Sequence, residues 1–250
     1  MSGHSKWATI KRKKGALDAK RSSMFAKLLR AVEVAAREGG SGDPKANMTL
    51  ASAIDKAKSF SVPSENIDRA VRRGTGEDAG GARYEEVVYE GYAAGGIALV
   101  VQALTDNRNR TAQEVRHAFT RNNGNLGETG TTLWMFQRRG VIVVEKDAWT
   151  DEERLLEGAL EAGADDLRDA ESSWEIVTEP AALKRVEAAL VGAGVPVFSA
   201  ELTMVPQTTI PVAGGEAKQV LALVEALEDL DDVQNVYANF DIPESVMAEL

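Results

Sequence analysis

Cysteine is absent from this sequence of 250 residues, and histidine occurs only at His4 and His117. Without cysteine there is no disulfide, no thiolate metal site and no thiol nucleophile, and two histidines leave little material for general-base chemistry at neutral pH. Long apolar runs are also missing. The longest, residues 97–101 and 141–144, have the length of strands rather than the roughly 18 residues of a membrane span. The N-terminus has lysine and arginine but no apolar segment behind them, so it does not read as a secretory signal. Glycine clusters at 39–42 and 74–81 lack the Gly-Lys-Ser/Thr of a phosphate loop and read as turns. The acidic runs at 151–153 and 228–232 lack the pattern of a calcium loop and read as solvated charge. These absences lead to an expectation of a non-enzymatic cytoplasmic protein with no metal, no cofactor, no small-molecule substrate and no membrane partner.

What the chain does have is a lopsided charge. Its formal net charge is -10, yet up to Thr75 there are 16 basic and 7 acidic residues, giving +9, and after it 13 against 32, giving -19. Such a split between ends suggests a nucleic-acid-facing segment and a body that is not. The bland alternative is a solvated basic arm with no partner.

Apolar residues at helical spacing predict a helix with Phe25, Leu28, Leu29, Val32, Ala35 and Ala36 on one face, capped by Ser22 or Ser23 and ended by Gly39-Gly40. A second helix carries Leu50, Ala53, Ile54 and Ala57 and stops before Val62-Pro63; a third, capped by Ser64, carries Ile67, Ala70 and Val71. This gives a basic α-helical domain over residues 1–75, followed by a Gly-rich linker.

From Tyr84 the period becomes strand-like, with a hairpin turning at Ala93–Gly96 and then a helix through Val115 and Phe119. Further on, Leu133–Phe136 reads as a strand, Arg139-Gly140 as a turn and Val141–Glu145 as a strand. From there the order β-α-β-β-α-β is that of a ferredoxin-like domain. The tail adds a strand, a helix and a strand. The expected fold is therefore multidomain, α and α+β: a helical bundle, an α+β domain over 82–131 plus 206–250, and a ferredoxin-like α+β domain inserted over 132–205.

The strongest chemical signal is Lys11-Arg12-Lys13-Lys14, flanked by Lys6, Lys20, Arg21, Lys27 and Arg30. Cations on a polyphosphate backbone release its condensed counterions. Beside His4 and Lys6, Trp7 either stacks on a base or packs back on the helical domain. A second group, Arg108, Asn109 and Arg110 with Arg116 and Arg121, either holds phosphate or nucleic-acid edges, or pairs with acids next to a cap at Asp106. His117 reads as structural.

Gly3–Trp7, Asp18–Arg21, Ala36–Gly40, Asn66–Ala70, Glu90–Tyr92, Thr105–Thr111 and Asn125–Gly127 resemble the motifs of the YebC/PmpR family. Members usually have Gly-Pro where this chain has Ala93-Ala94, and Gly-Gly where it has Asn123-Gly124. The resemblance implies one helical and two α+β domains and a bacterial cytoplasmic regulator of gene expression. It implies DNA-binding transcription regulation on one reading, and RNA-binding translation regulation at the ribosome on another. Composition and resemblance together favour the basic N-terminal domain acting on ribosomal or structured RNA, with DNA as the alternative. An enzyme with a site between the α+β domains, near Asp106, Asn107 and Arg108, is the remote third.

Overall fold

The computed structural model describes residues 21–78, 83–243 and 246. They form two compact units: one holds the described residues up to Thr131 together with Lys218–Val236, the other Thr132–Ala217 together with the described residues from Tyr237 on.

The first unit begins with three helices, α1 (Arg21–Glu38), α2 (Met48–Ser59) and α3 (Ser64–Thr75). Their spaced apolar positions meet in one core, with Leu28, Val32, Ala36, Leu50, Ile67 and Ala70 among its buried side chains. Asn47 fastens α2 to α1: its Oδ1 accepts from the Leu50 N–H at 3.0 Å and its Nδ2 donates to the Ala35 carbonyl at 2.8 Å. This is an N-cap that also ties two helices. Two expected caps are displaced. Ser22 and Ser23 lie inside α1, already helical at Arg21, and Ser64 is the first residue of α3. Its N-cap is Pro63, whose carbonyl accepts from Asn66 and Ile67.

An antiparallel hairpin follows, β1 (Glu85–Tyr92) and β2 (Ala98–Thr105), then α4 (Arg108–Arg121) and the short β3 (Asn125–Leu126). After the second unit the chain returns as α7 (Gly214–Glu228) and β9 (Val233–Ala238), and the sheet order is β3-β1-β2-β9. Thus the strand beside β2 comes from the tail. Phe119 of α4 is fully buried, and Gly91 of β1 makes room for it: a Cβ there would lie 2.7 Å from the Phe119 ring.

In the second unit, β4 (Phe136–Glu145), α5 (Glu152–Glu161), β5 (Asp166–Asp169), β6 (Ser173–Thr178), α6 (Leu183–Gly192) and β7 (Val197–Pro206) build an antiparallel sheet of order β5-β6-β4-β7. This is the ferredoxin-like arrangement, and its core includes Ile142, Val144, Leu155, Ile176, Val186 and Leu190. Two short strands, β8 (Ile210–Pro211) and β10 (Phe240–Asp241), pair in parallel. The multidomain α and α+β class expected from sequence is therefore what the chain adopts.

One expectation fails. There is no turn at Arg139-Gly140: β4 runs unbroken through both residues, and residues 133–135 form a 3-10 turn instead of a strand. Gly140 is needed for packing, since a Cβ there would fall 2.3 Å from Thr178 Oγ1 and 2.9 Å from Leu183 Cβ. Among the described residues, no helix is long and apolar enough to cross a membrane.

Gly140→Ala is expected to lower the unfolding free energy by about 1–3 kcal/mol, because strand and helix must separate to admit the methyl group. Gly158→Ala, inside α5 with open space around its Cβ position, is expected to raise it by about 0.5–1 kcal/mol. Urea denaturation of both variants, followed by circular dichroism, checks the pair; equal effects would refute the packing role of Gly140.

Candidate nucleic-acid interface

Of the basic and aromatic residues expected to meet nucleic acid, His4, Lys6, Trp7, Lys11, Arg12, Lys13, Lys14 and Lys20 lie outside the described residues. Arg21, Lys27, Arg30, Arg108, Asn109 and Arg110 lie within them. They do not share one outward face.

Arg21 is exposed, with its guanidinium 5.3 Å from the Phe25 ring centre. Lys27 and Arg30 point instead to the returning tail. The Lys27 ammonium is buried and donates to the Glu228 carbonyl at 2.5 Å. Burial pushes its pKa from 10.5 down to about 8, only partly offset by the nearby acids Asp231, Glu228 and Asp229. Arg30 Nη1 reaches the Leu104 carbonyl at 3.1 Å, the Asp231 carbonyl at 3.0 Å and Asp232 Oδ1 at 2.9 Å. Its guanidinium also covers the Tyr84 ring at 4.9 Å. Both residues are therefore engaged inside the protein rather than offered to a phosphate.

Asp232 is the centre of this contact. Its carboxylate, with side chain 3 % exposed, takes Arg30 on Oδ1 and Arg110 on Oδ2 at 2.6 Å. The hydroxyls of Thr105 and Thr111 lie 3.1 Å and 2.7 Å from the same Oδ2. Burial alone would push this carboxyl upward, but the bonds from Arg110 and Thr111 hold it below the ordinary carboxylate range. The backbone joins in: the Leu104 N–H donates to the Asp232 carbonyl at 2.8 Å.

The Thr105–Thr111 segment is thus a structural knot at the start of α4. Asn107, not Asp106, caps the helix, accepting from the Arg110 N–H at 3.2 Å, and Asp106 accepts from the Arg110 guanidinium at 2.8 Å. Arg108 is 67 % exposed and 3.6 Å from Glu85, and Asn109 is exposed. Further along α4, Arg116, His117 and Arg121 are exposed as well, so His117 does not take the structural place expected of it. The Glu90–Tyr92 segment holds the loop after β3. The buried Glu90 carboxylate accepts from the Gly130 N–H at 2.6 Å, and the Tyr92 hydroxyl lies 3.3 Å from the Thr131 carbonyl. Asn123 occupies the left-handed region with φ 57, which asparagine tolerates well among non-glycine residues.

Sequence reasoning missed Asp232, because an acidic run past a helix end looks like solvated charge. The signal available was the charge split itself, which leaves the basic N-terminal helices and the acidic tail each in want of opposite charge. It also missed Glu33, buried in α1 and paired with Arg37 at 3.2 Å and Arg73 at 3.0 Å. Among the described residues, two surface depressions have volumes of about 410 Å³ each. One lies in the second unit beside Arg139, Asp165 and Glu179, whose charges pair with one another. The other lies in the helical domain beside Ile54, Lys58 and Val71. Among the described residues no group of three or more His, Asp or Glu could hold a metal ion.

Comparison with known proteins gives a consistent result over the whole chain. Residues 84–240 match the family described as "TACO1/YebC second and third domain", and residues 5–77 match "TACO1/YebC protein N-terminal domain". A protein from Pelotomaculum thermopropionicum is 56 % identical over 97 % of this chain and 99 % of its own, and one from Geobacter sulfurreducens is 54 % identical over 100 % of both. Each is named a probable transcriptional regulatory protein. The crystal structure of a conserved hypothetical protein from Aquifex aeolicus superposes with a TM-score of 0.79 at 46 % identity, covering 91 % of this chain and 93 % of that one.

Asp232→Ala is expected to destabilise the protein by about 3 kcal/mol, since it leaves the Arg30 and Arg110 charges without their shared carboxylate. Lys27→Met is expected to stabilise the protein at neutral pH, because the buried ammonium is poorly compensated. Folded Lys27 loses its proton near pH 8 and unfolded lysine near 10.5, so unfolding takes up a proton between these values. Stability from this group therefore rises with pH across that window. Denaturation midpoints of the parent and of Lys27→Met between pH 7 and 10.5 should converge as pH rises, and a constant difference would refute the buried ammonium.

Proposed function

Because the chain belongs to the TACO1/YebC family, we propose that it is a non-enzymatic regulator of gene expression that binds nucleic acid through its basic N-terminal domain. The observation that carries this reading is the charge split, +9 through Thr75 against -19 beyond it. A chain repelled by polyanions overall keeps one end attractive to them. Lys27 and Arg30 are subtracted from that surface by their internal contacts. The proposed contact set is then His4, Lys6, Trp7, Lys11, Arg12, Lys13, Lys14, Lys20 and Arg21, with Arg108 and Asn109 as outlying members. The shortage of bases and nucleophiles, and the mutual pairing of charges in the groove at Arg139, support a binding protein over an enzyme.

The physiological target we favour is ribosomal or structured RNA, with an effect on translation in the cytoplasm. A basic segment with Trp7 suits unpaired, unstacked nucleotides. The alternative is a DNA-binding transcriptional regulator, which the names of the relatives favour.

Crosslinking in cells followed by sequencing of bound RNA and DNA separates the two. Enrichment of ribosomal RNA is expected; enrichment of promoter DNA would sink the translational reading. In vitro, replacing Lys11, Arg12, Lys13 and Lys14 by Ala should weaken RNA binding and reduce the slope of log affinity against log salt by about 3. A slope equal to the parent's would remove this cluster from the interface.

A further inference from the structure

Past Arg110 in its first turn, the outward face of α4 has no role in the knot around Asp232. At about 100° per residue, Asn109, Gln113, Arg116, His117, Thr120 and Arg121 fall on one side of the helix, and all six are exposed. The opposite side is buried through Thr111, Val115, Ala118 and Phe119. The face is thus set rigidly by the packed half of its own helix. Among the described residues, Arg116 and Arg121 make no ion pair. Glu114, the helix's one acid, stands at the flank and is half-buried.

The charge of this face runs against that of the sequence beyond Thr75. Beyond Thr75 the chain is strongly acidic, and α5 and α7 carry Glu152, Glu153, Glu157 and Glu161, and Glu216, Glu225 and Glu228. A helix with two unpaired guanidinium groups and no carboxylate on its exposed side is complementary to a polyanion. Its other side chains narrow the partner. Asn109 and Gln113 each offer a donor and an acceptor in a fixed amide geometry, and His117 and Thr120 add a ring and a hydroxyl. Arginine and amide side chains are those that read base edges as well as phosphates. An acidic protein surface would use the arginines and leave the amides idle.

We propose that the exposed face of α4 is a second nucleic-acid contact surface, with Arg116 and Arg121 on phosphates and Asn109 and Gln113 on base edges. This rests on the reading that the protein binds nucleic acid, and extends it to an element outside the basic N-terminal domain. Helix ends support the placement: Asn107 caps the start, and at the other end the Gly124 N–H bonds the Phe119 carbonyl at 2.8 Å across the left-handed Asn123. With both ends closed by the helix's own neighbours, the exposed side chains project from a fixed rod.

The test uses the purified full chain, fluorescence anisotropy and two labelled probes of the same sequence, an RNA stem-loop with an unpaired loop and a DNA duplex. The variants are Arg116→Glu with Arg121→Glu, and Arg116→Gln with Arg121→Gln as the milder pair. Both pairs should keep the parent's denaturation midpoint, since the side chains are exposed. On the probe that the parent binds, affinity should fall about five- to tenfold, and the salt slope by about 2 for the glutamine pair. Gln113→Ala should weaken binding without changing the slope. Loss on the RNA probe or on the DNA probe supports the surface and identifies which strand occupies it. Parent-like binding by both arginine pairs overturns this inference, while the N-terminal variant described above still reports on the functional reading separately. A parent that binds neither probe overturns both.

Discussion

The Asp232 carboxylate is the one group on which the first unit's assembly rests. It receives Arg30 from the helical domain, Thr105 from the end of β2, and Arg110 and Thr111 from the first turn of α4. Its own backbone carbonyl closes the start of β9 onto β2 through the Leu104 N–H. Segments up to 202 residues apart in sequence therefore meet at one side chain. A buried charge with both oxygens bonded is tolerated only when its partners are all in place. That condition makes the contact a register pin: a shift of the tail strand by one residue would bury the carboxylate with no cation and turn Val233 outward.

The same contact changes how the chain's positive charge should be counted. Composition treats every lysine and arginine before residue 75 alike, but position on the helix divides them. Lys27 and Arg30 lie on the side of α1 that meets the tail, and Arg37 and Arg73 flank the buried Glu33. Lys56 is half-buried and reaches Asn235, whereas Arg21, Lys45, Lys58, Arg69 and Arg72 are exposed. On α4 the division runs along the axis: Arg110 in the first turn reaches Asp232, while Arg116 and Arg121 further along the helix are exposed. Whether an arginine neutralises an internal carboxylate or stays available to a phosphate is decided by where it falls both around and along its helix.

Much of this fold was legible in the sequence because its helices and strands keep their periods. The spacing of Leu28, Val32 and Ala36, or of Val115 and Phe119, is a statement about one buried face, and the structure buries that face. The ferredoxin-like order was readable as well. Gly140 was misread because a glycine beside an arginine looks like a turn, and only the closeness of Thr178 and Leu183 reveals that it is a packing requirement. Asp232 was invisible for a related reason. An acidic residue after a helix is as a rule solvated, and its burial depends on Arg30, Thr105 and Arg110 arriving from distant segments. Local pattern reports the faces of elements; it does not report which charged pairs those faces will enclose.

The return of the tail to the edge of the sheet, beside β2, has a consequence for synthesis. Glu228, Asp232 and the strand beside β2 leave the ribosome about 200 residues after Lys27 and Arg30. Domains fold from the N-terminus as they emerge, so the helical bundle can gather its own core around Val32 and Leu50 early. Until the tail has emerged it has no acidic dock, and β2 has one edge uncovered. A nascent chain truncated anywhere before residue 228 would therefore carry an unneutralised basic bundle and an unpaired strand edge, which makes the C-terminal segment the quality check on the rest.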